Sequence, residues 1–156
     1  MNNIEDKYYA SLDIDKETMS SAGATSVVVP TFQATFTPPH PSLGTYYSAN
    51  RFFYESFTDD TISVIGRYLA AGVIEQIAIV LPRNIEDGKH PVASGGVTIN
   101  LTINGSIEQA NKGEITIKRN KDKKIFEAIF DAEVQNNGTT YKITHGIVIL
   151  EATGPL

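Results

Sequence analysis

The side chains that could do chemistry in this sequence are three histidines, several adjacent carboxylates and one run of aromatics. His40 stands in Thr37-Pro38-Pro39-His40-Pro41-Ser42-Leu43-Gly44, and His90 in Gly88-Lys89-His90-Pro91. Both fall in proline-flanked loops that folding could bring together. With Glu86 or Asp87 they would make a partial metal site, because imidazole and carboxylate are ordinary zinc ligands. Their spacing fixes no coordination geometry, so neither a metal nor a cofactor is expected. His145 shares an alternating run with Ile143 and Ile147, which predicts a hydrogen-bonded, partly buried structural ring. The carboxylate pairs Asp13/Asp15, Asp59/Asp60 and Glu86/Asp87 lie on expected loops. General acid-base work needs two carboxyls at a defined separation in unlike environments, and solvated neighbours do not supply that.

Other catalytic signatures are missing from the sequence. There is no Gly-x-Ser-x-Gly elbow, and Gly95-Gly96 runs into an expected strand rather than a helix, so it does not cradle phosphate. The chain has no cysteine, which removes disulfides, thiolate metal sites and a cysteine nucleophile. An enzyme assembled from scattered loop carboxylates and His40 or His90 stays as a third reading, behind a domain that binds without catalysing. For such a domain the candidate ligand-binding residues are Tyr46, Tyr47, His40 and His90. Two adjacent tyrosines beside a stiff proline loop offer flat apolar area with hydroxyls, which suits stacking on sugar rings or docking a peptide.

The elements that must position these residues read as strands. In Glu114-Ile115-Thr116-Ile117-Lys118 the apolar residues fall on one face and the polar ones on the other, the period of two of a half-buried strand. After the charged tip Arg119 to Lys124 the alternation resumes with Phe126, Ala128, Phe130, Ala132 and Val134 on one face. Asn136-Asn137-Gly138 supplies residues tolerant of positive φ, as tight hairpins require. The chain then returns with Tyr141, Ile143, His145, Ile147 and Ile149 expected on one face, completing a three-stranded antiparallel meander. Upstream, Ser26 to Phe36 alternates as a strand that Pro30 should confine to an edge or a bulge. Thr37 to Gly44 follows as a loop. Strands are expected near Arg51 to Phe57, Thr61 to Leu69, Val73 to Leu81 and Val97 to Ile103. Ile62, Ile65, Leu69 and Val73 also fit a helical stripe, against which stand Gly66, Gly72 and the many β-branched residues.

About eight strands at such spacing predict an all-β antiparallel sandwich, with a closed lipocalin-like β-barrel as the alternative. In the barrel, small inward residues such as Ala34, Ala128 and Ala132 would leave room for a small apolar ligand. At 156 residues the chain suits one domain. Residues 1–25 read as a loosely held N-terminal arm with a weak Ile4, Tyr8, Leu12 spacing, and residues 26–156 as the β domain. A formal net charge of -5 argues against nucleic acid, since phosphate binding needs clustered cations. No apolar run approaches a membrane span, and Met1 to Lys7 has no basic region followed by an apolar stretch. As written, the expected compartment is the cytoplasm, or the periplasm or cell exterior if a leader has been removed.

The order Gly113-Glu-Ile-Thr-Ile117, a charged turn, Ile125-Phe-Glu-Ala-Ile-Phe-Asp-Ala132, Asn-Gly, then Tyr141-Lys-Ile-Thr-His-Gly146 resembles the C-terminal half of small bacterial β-sandwich proteins of unknown function. Many of those are lipoproteins. Thr61 to Val92, with Gly72 between two apolar strands, is similar to the middle of the same pattern. The resemblance covers about two-thirds of the chain, and it implies a fold and no catalytic residues. The leader and lipidated cysteine of many such proteins have no counterpart here. The resulting expectation is a soluble, non-catalytic module recognising a small molecule, carbohydrate or peptide through its loops, with edge strands as a route to homo-oligomers. The alternative function is a β-barrel carrier of a small apolar ligand.

Overall fold

The computed structural model describes residues 29–94 and 96–153. The expected N-terminal arm lies outside the described residues, which form eleven strands. In chain order these are β1 (Thr31–His40), β2 (Gly44–Ser48), β3 (Arg51–Glu55), β4 (Thr61–Ala70), β5 (Val73–Pro82), β6 (Gly88–Pro91), β7 (Thr98–Ile103), β8 (Ser106–Gln109), β9 (Lys112–Asn120), β10 (Ile125–Asn136) and β11 (Thr139–Glu151). They form two antiparallel sheets. Sheet A has the order β2-β1-β11-β10-β9-β6 and sheet B the order β3-β4-β5-β7-β8. The sheets are not closed on each other, so the architecture is a sandwich and the barrel alternative is overturned. Ala34, Ala128 and Ala132 lie in the packed layer between the sheets instead of leaving a ligand cavity.

The alternation visible in the sequence explains the core. Phe126, Ala128, Phe130, Ala132 and Val134 of β10 meet Ile77, Ile79, Ile99 and Leu101 of sheet B in one cluster. Burying a side chain of this size is worth about 1.5–3 kcal/mol. The segment 61–81, where a helical stripe competed, is a regular β4–β5 hairpin paired from Thr61↔Pro82 to Ala70↔Val73. Its β-branched residues and Gly66 decide the matter. A side chain at Gly66 would sit 2.3 Å from Cγ of Phe32, so the sheets approach closely there. The turn after β10 is as expected, with Asn137 at φ 51° and Gly138 at φ 79°.

Three features of the first strand differ from expectation. Pro30 precedes β1 rather than interrupting it, so β1 is an inner strand between β2 and β11. The supposed loop from Thr37 is the second half of β1, which runs to His40 through a cis Thr37–Pro38 bond. The prolines are tolerated because pairing lapses at them. The β11 register ends at Thr37↔Lys142, and the β2 register jumps from Thr35↔Tyr46 to His40↔Gly44. β2, β6 and β8, not foreseen as separate strands, are short edge or near-edge pieces of four or five residues.

Candidate functional site

The four residues singled out from the sequence do not converge. Tyr47 is 3% exposed, and its hydroxyl sits between the carbonyl oxygens of Gly66 at 2.9 Å and Glu75 at 3.0 Å, donating its hydrogen to them. Burial, reinforced by the nearby Glu75 charge, pushes this phenol well above its ordinary value. It is a strut between the sheets. Tyr46, its neighbour on the opposite side of the strand, is 58% exposed.

His40 is buried in a polar clasp that joins the two sheets. Its Nδ1 accepts the backbone N–H groups of Ser42 at 3.1 Å and Leu43 at 3.3 Å, which leaves Nε2 to carry the hydrogen shared with Glu108 Oε1 at 3.1 Å. Asn136 Nδ2 donates to the other oxygen of Glu108 at 2.9 Å. The ring also packs on Phe36 and Tyr141, with centroids 5.5 and 5.0 Å away. β1, β8 and β10 are therefore tied at one end of the sandwich.

His90 lies on β6, at the opposite edge of sheet A, where its Nε2 bonds the carbonyl of Glu86 at 2.7 Å. Four strand spacings separate β6 from β1, about 19 Å, so the two histidines cannot share a metal. Among the described residues there is no group of three His, Asp or Glu side chains that could hold one. Asp87 is engaged nearby. Its slight desolvation would raise the carboxyl, but hydrogen bonds from Arg119 Nε at 2.9 Å and Arg119 N at 3.2 Å outweigh it and hold the group below its usual range. The Arg119 guanidinium also donates to the Ile85 carbonyl, so this cluster anchors the β5–β6 connection to β9.

The feature that the sequence concealed is on the outer face of sheet A. His145, expected to point inward with Ile143 and Ile147, is exposed and takes φ 51°, a left-handed conformation. Such a conformation costs a non-glycine residue roughly 1 kcal/mol or more. It makes a β-bulge. On one side Thr144 and His145 oppose the single residue Asp131, and on the other His145 and Gly146 oppose Ala34. The extra residue reverses every side chain that follows, as a shift by one in a period of two must. Val148 and Leu150 enter the core, while Ile147 and Ile149 move to the outer face.

Ile147 arrives directly opposite Ile129 of β10, and the two are 37% and 60% exposed. Around this pair the sheet forms a depression of about 490 Å³, whose rim includes Lys89, Glu114, Asp131 and His145. Phe130 lies beneath Gly146, where an added Cβ would come within 2.6 Å of its ring. A second hollow of about 290 Å³ continues along the same face past Ile129, Ile147 and Ile149 to Lys118 and Glu127. Lys89 Nζ pairs with Glu114 Oε1 at 3.2 Å on the rim. The signal that could have revealed this face is the run Ile147-Val148-Ile149-Leu150, which is apolar at both phases and thus compatible with either register.

No family model, curated protein or solved structure matches the chain. The site is accordingly defined by its own geometry.

Proposed function

We propose that this protein is a non-catalytic binding module that receives an apolar peptide segment of a partner protein on the outer face of sheet A. The observation that carries this reading is the cross-strand pair Ile129–Ile147, exposed at the centre of a long hollow on a face that strand alternation should make polar. An apolar centre with a charged rim is the usual anatomy of a protein-docking patch. The rim carries both signs, through Lys89, Lys118, Glu114, Glu127 and Asp131, which fixes the orientation of a mixed-charge peptide more than its affinity. A peptide fits better than a sugar because sugar stacking favours an open phenyl, phenol or indole face, and the Phe130 ring at this hollow is buried. The strained bulge at His145 supports the same reading, since bulges of this kind re-aim side chains next to functional surfaces.

Selection of a random peptide library displayed on phage against the immobilised chain tests the proposal. Enriched peptides should be apolar and should lose at least about tenfold in affinity, roughly 1.4 kcal/mol, for the variant Ile129→Lys. Peptides that bind the variant equally well, or no enrichment at all, would refute it.

A further inference from the structure

Three connections meet at the pole of the sandwich opposite the His40 clasp, residues 56–60 after β3, 83–87 after β5 and 121–124 after β9. Hydrogen bonds join every pair of them. Arg83 donates from its backbone N to the Asp60 carbonyl at 2.7 Å and from Nε to the Asp59 carbonyl at 2.7 Å, and its guanidinium also reaches Ser56 Oγ and the Thr58 carbonyl. Arg119, just before the third connection, holds Asp87 and the Ile85 carbonyl of the second. Ala152 N donates to the Lys124 carbonyl at 2.7 Å, and the next residue donates from Thr153 Oγ1 to the Tyr54 carbonyl at 3.1 Å, which ties the third connection to the strand leading into the first. Within the first, Thr58 Oγ1 accepts the amides of Asp60 at 3.3 Å and Thr61 at 3.1 Å, and Ser56 Oγ donates to the Thr58 carbonyl at 2.9 Å. A loop fastened in this way is ordered before it meets anything. Yet it carries Phe57 with 65% of its surface exposed.

We propose that this pole is the contact between two copies of the chain, related by a two-fold axis that sets the first connection of each copy against the third connection of the other. Charge selects this occupant. Asp59 and Asp60 follow Phe57 closely on the first connection, whereas Lys121, Lys123 and Lys124 surround the single acid Asp122 on the third. The two aspartates and three lysines are all exposed, and none of them forms a salt bridge among the described residues. An anionic surface would be repelled by the aspartates and a cationic one by the lysines, but a two-fold rotation brings each set against its opposite. Phe57 then lies against the lysine stems of the second copy, whose methylenes and ammonium groups suit an aromatic face. Because the loop is already fixed in the free chain, little order is lost on association.

Sedimentation velocity of the full-length chain from micromolar to millimolar concentration should show a monomer–dimer equilibrium. Phe57→Ser should weaken the dimer at least about tenfold. Asp59→Lys together with Asp60→Lys should weaken it as well, and so should Lys123→Glu together with Lys124→Glu. These reversals leave the loop standing, because Arg83 holds the carbonyl oxygens of Asp59 and Asp60 rather than their carboxylates. All four reversals in one chain again set opposite charges against each other and should return the dimer. A chain that stays monomeric over the whole range would overturn the proposal. So would a dimer indifferent to Phe57→Ser, or a chain with all four reversals that associates no more tightly than either pair alone.

Discussion

Replacing Gly66 with alanine tests the distance between the two sheets. The new Cβ would lie 2.3 Å from Cγ of Phe32 and 2.7 Å from its Cβ and Cδ2, whereas carbon atoms rest about 3.5–4.0 Å apart. Some 1 Å or more must be found. Phe32 is fully buried and cannot swing into solvent. Neither backbone yields easily, because β1 is paired on both sides by β2 and β11, and β4 by β3 and β5. Overpacking of this kind costs about 1–3 kcal/mol. A chain of this size loses about 2–4 °C in Tm per kcal/mol, so Gly66→Ala should melt about 2–12 °C below the wild type. Differential scanning calorimetry reads this directly. Combining Gly66→Ala with Phe32→Leu should recover part of the loss, with a coupling of at least about 0.5 kcal/mol between the two sites. A Gly66→Ala protein that melts at or above the wild-type temperature would refute the facing of Phe32 and Gly66, and with it the registers of both sheets.

His40→Ala should cost about 1–3 kcal/mol in urea unfolding, since it strips the part-buried Ser42 amide and the buried Leu43 amide of their acceptor and Glu108 of a donor. The raised phenol of Tyr47 binds its proton more tightly in the folded state than at the ordinary value of 10.0, so its contribution is complete below pH 10 and is lost as pH rises beyond it. Alkaline melts should therefore steepen above about pH 10, and less so in Tyr47→Phe. That variant should itself lose about 0.5–1.5 kcal/mol at pH 7 with the hydrogen bonds to Gly66 and Glu75. Ile129→Lys should leave the urea midpoint within about 0.5 kcal/mol of the wild type, because its side chain already stands in solvent.

What the sequence makes legible follows its strongest periodicities. The β7, β9 and β10 segments alternate cleanly, and the phase that carries their apolar residues is the one that faces inward. The short strands β2, β6 and β8 are illegible in the sequence because they are held by backbone pairing to longer neighbours rather than by an apolar stripe of their own. The second half of β1 was hidden by its prolines, which argue against a strand unless the pairing is known to lapse there. The candidate site was illegible for a sharper reason. In Ile147-Val148-Ile149-Leu150 both phases are apolar, so only the backbone twist at His145 decides which pair is buried, and no side-chain pattern encodes it. The loop histidines and tyrosines attracted functional readings by type, whereas folding uses His40 and Tyr47 to brace the sheets.

The docking face of sheet A is tested most directly by titrating a library-selected peptide into the isotope-labelled full-length chain and following backbone amide shifts. The account predicts perturbations concentrated at Thr116, Ile129, Asp131, His145 and Ile147 that vanish in Ile129→Lys. Shifts centred instead on Tyr46, on the β5–β6 connection around Asp87, or on the strands of sheet B would contradict it.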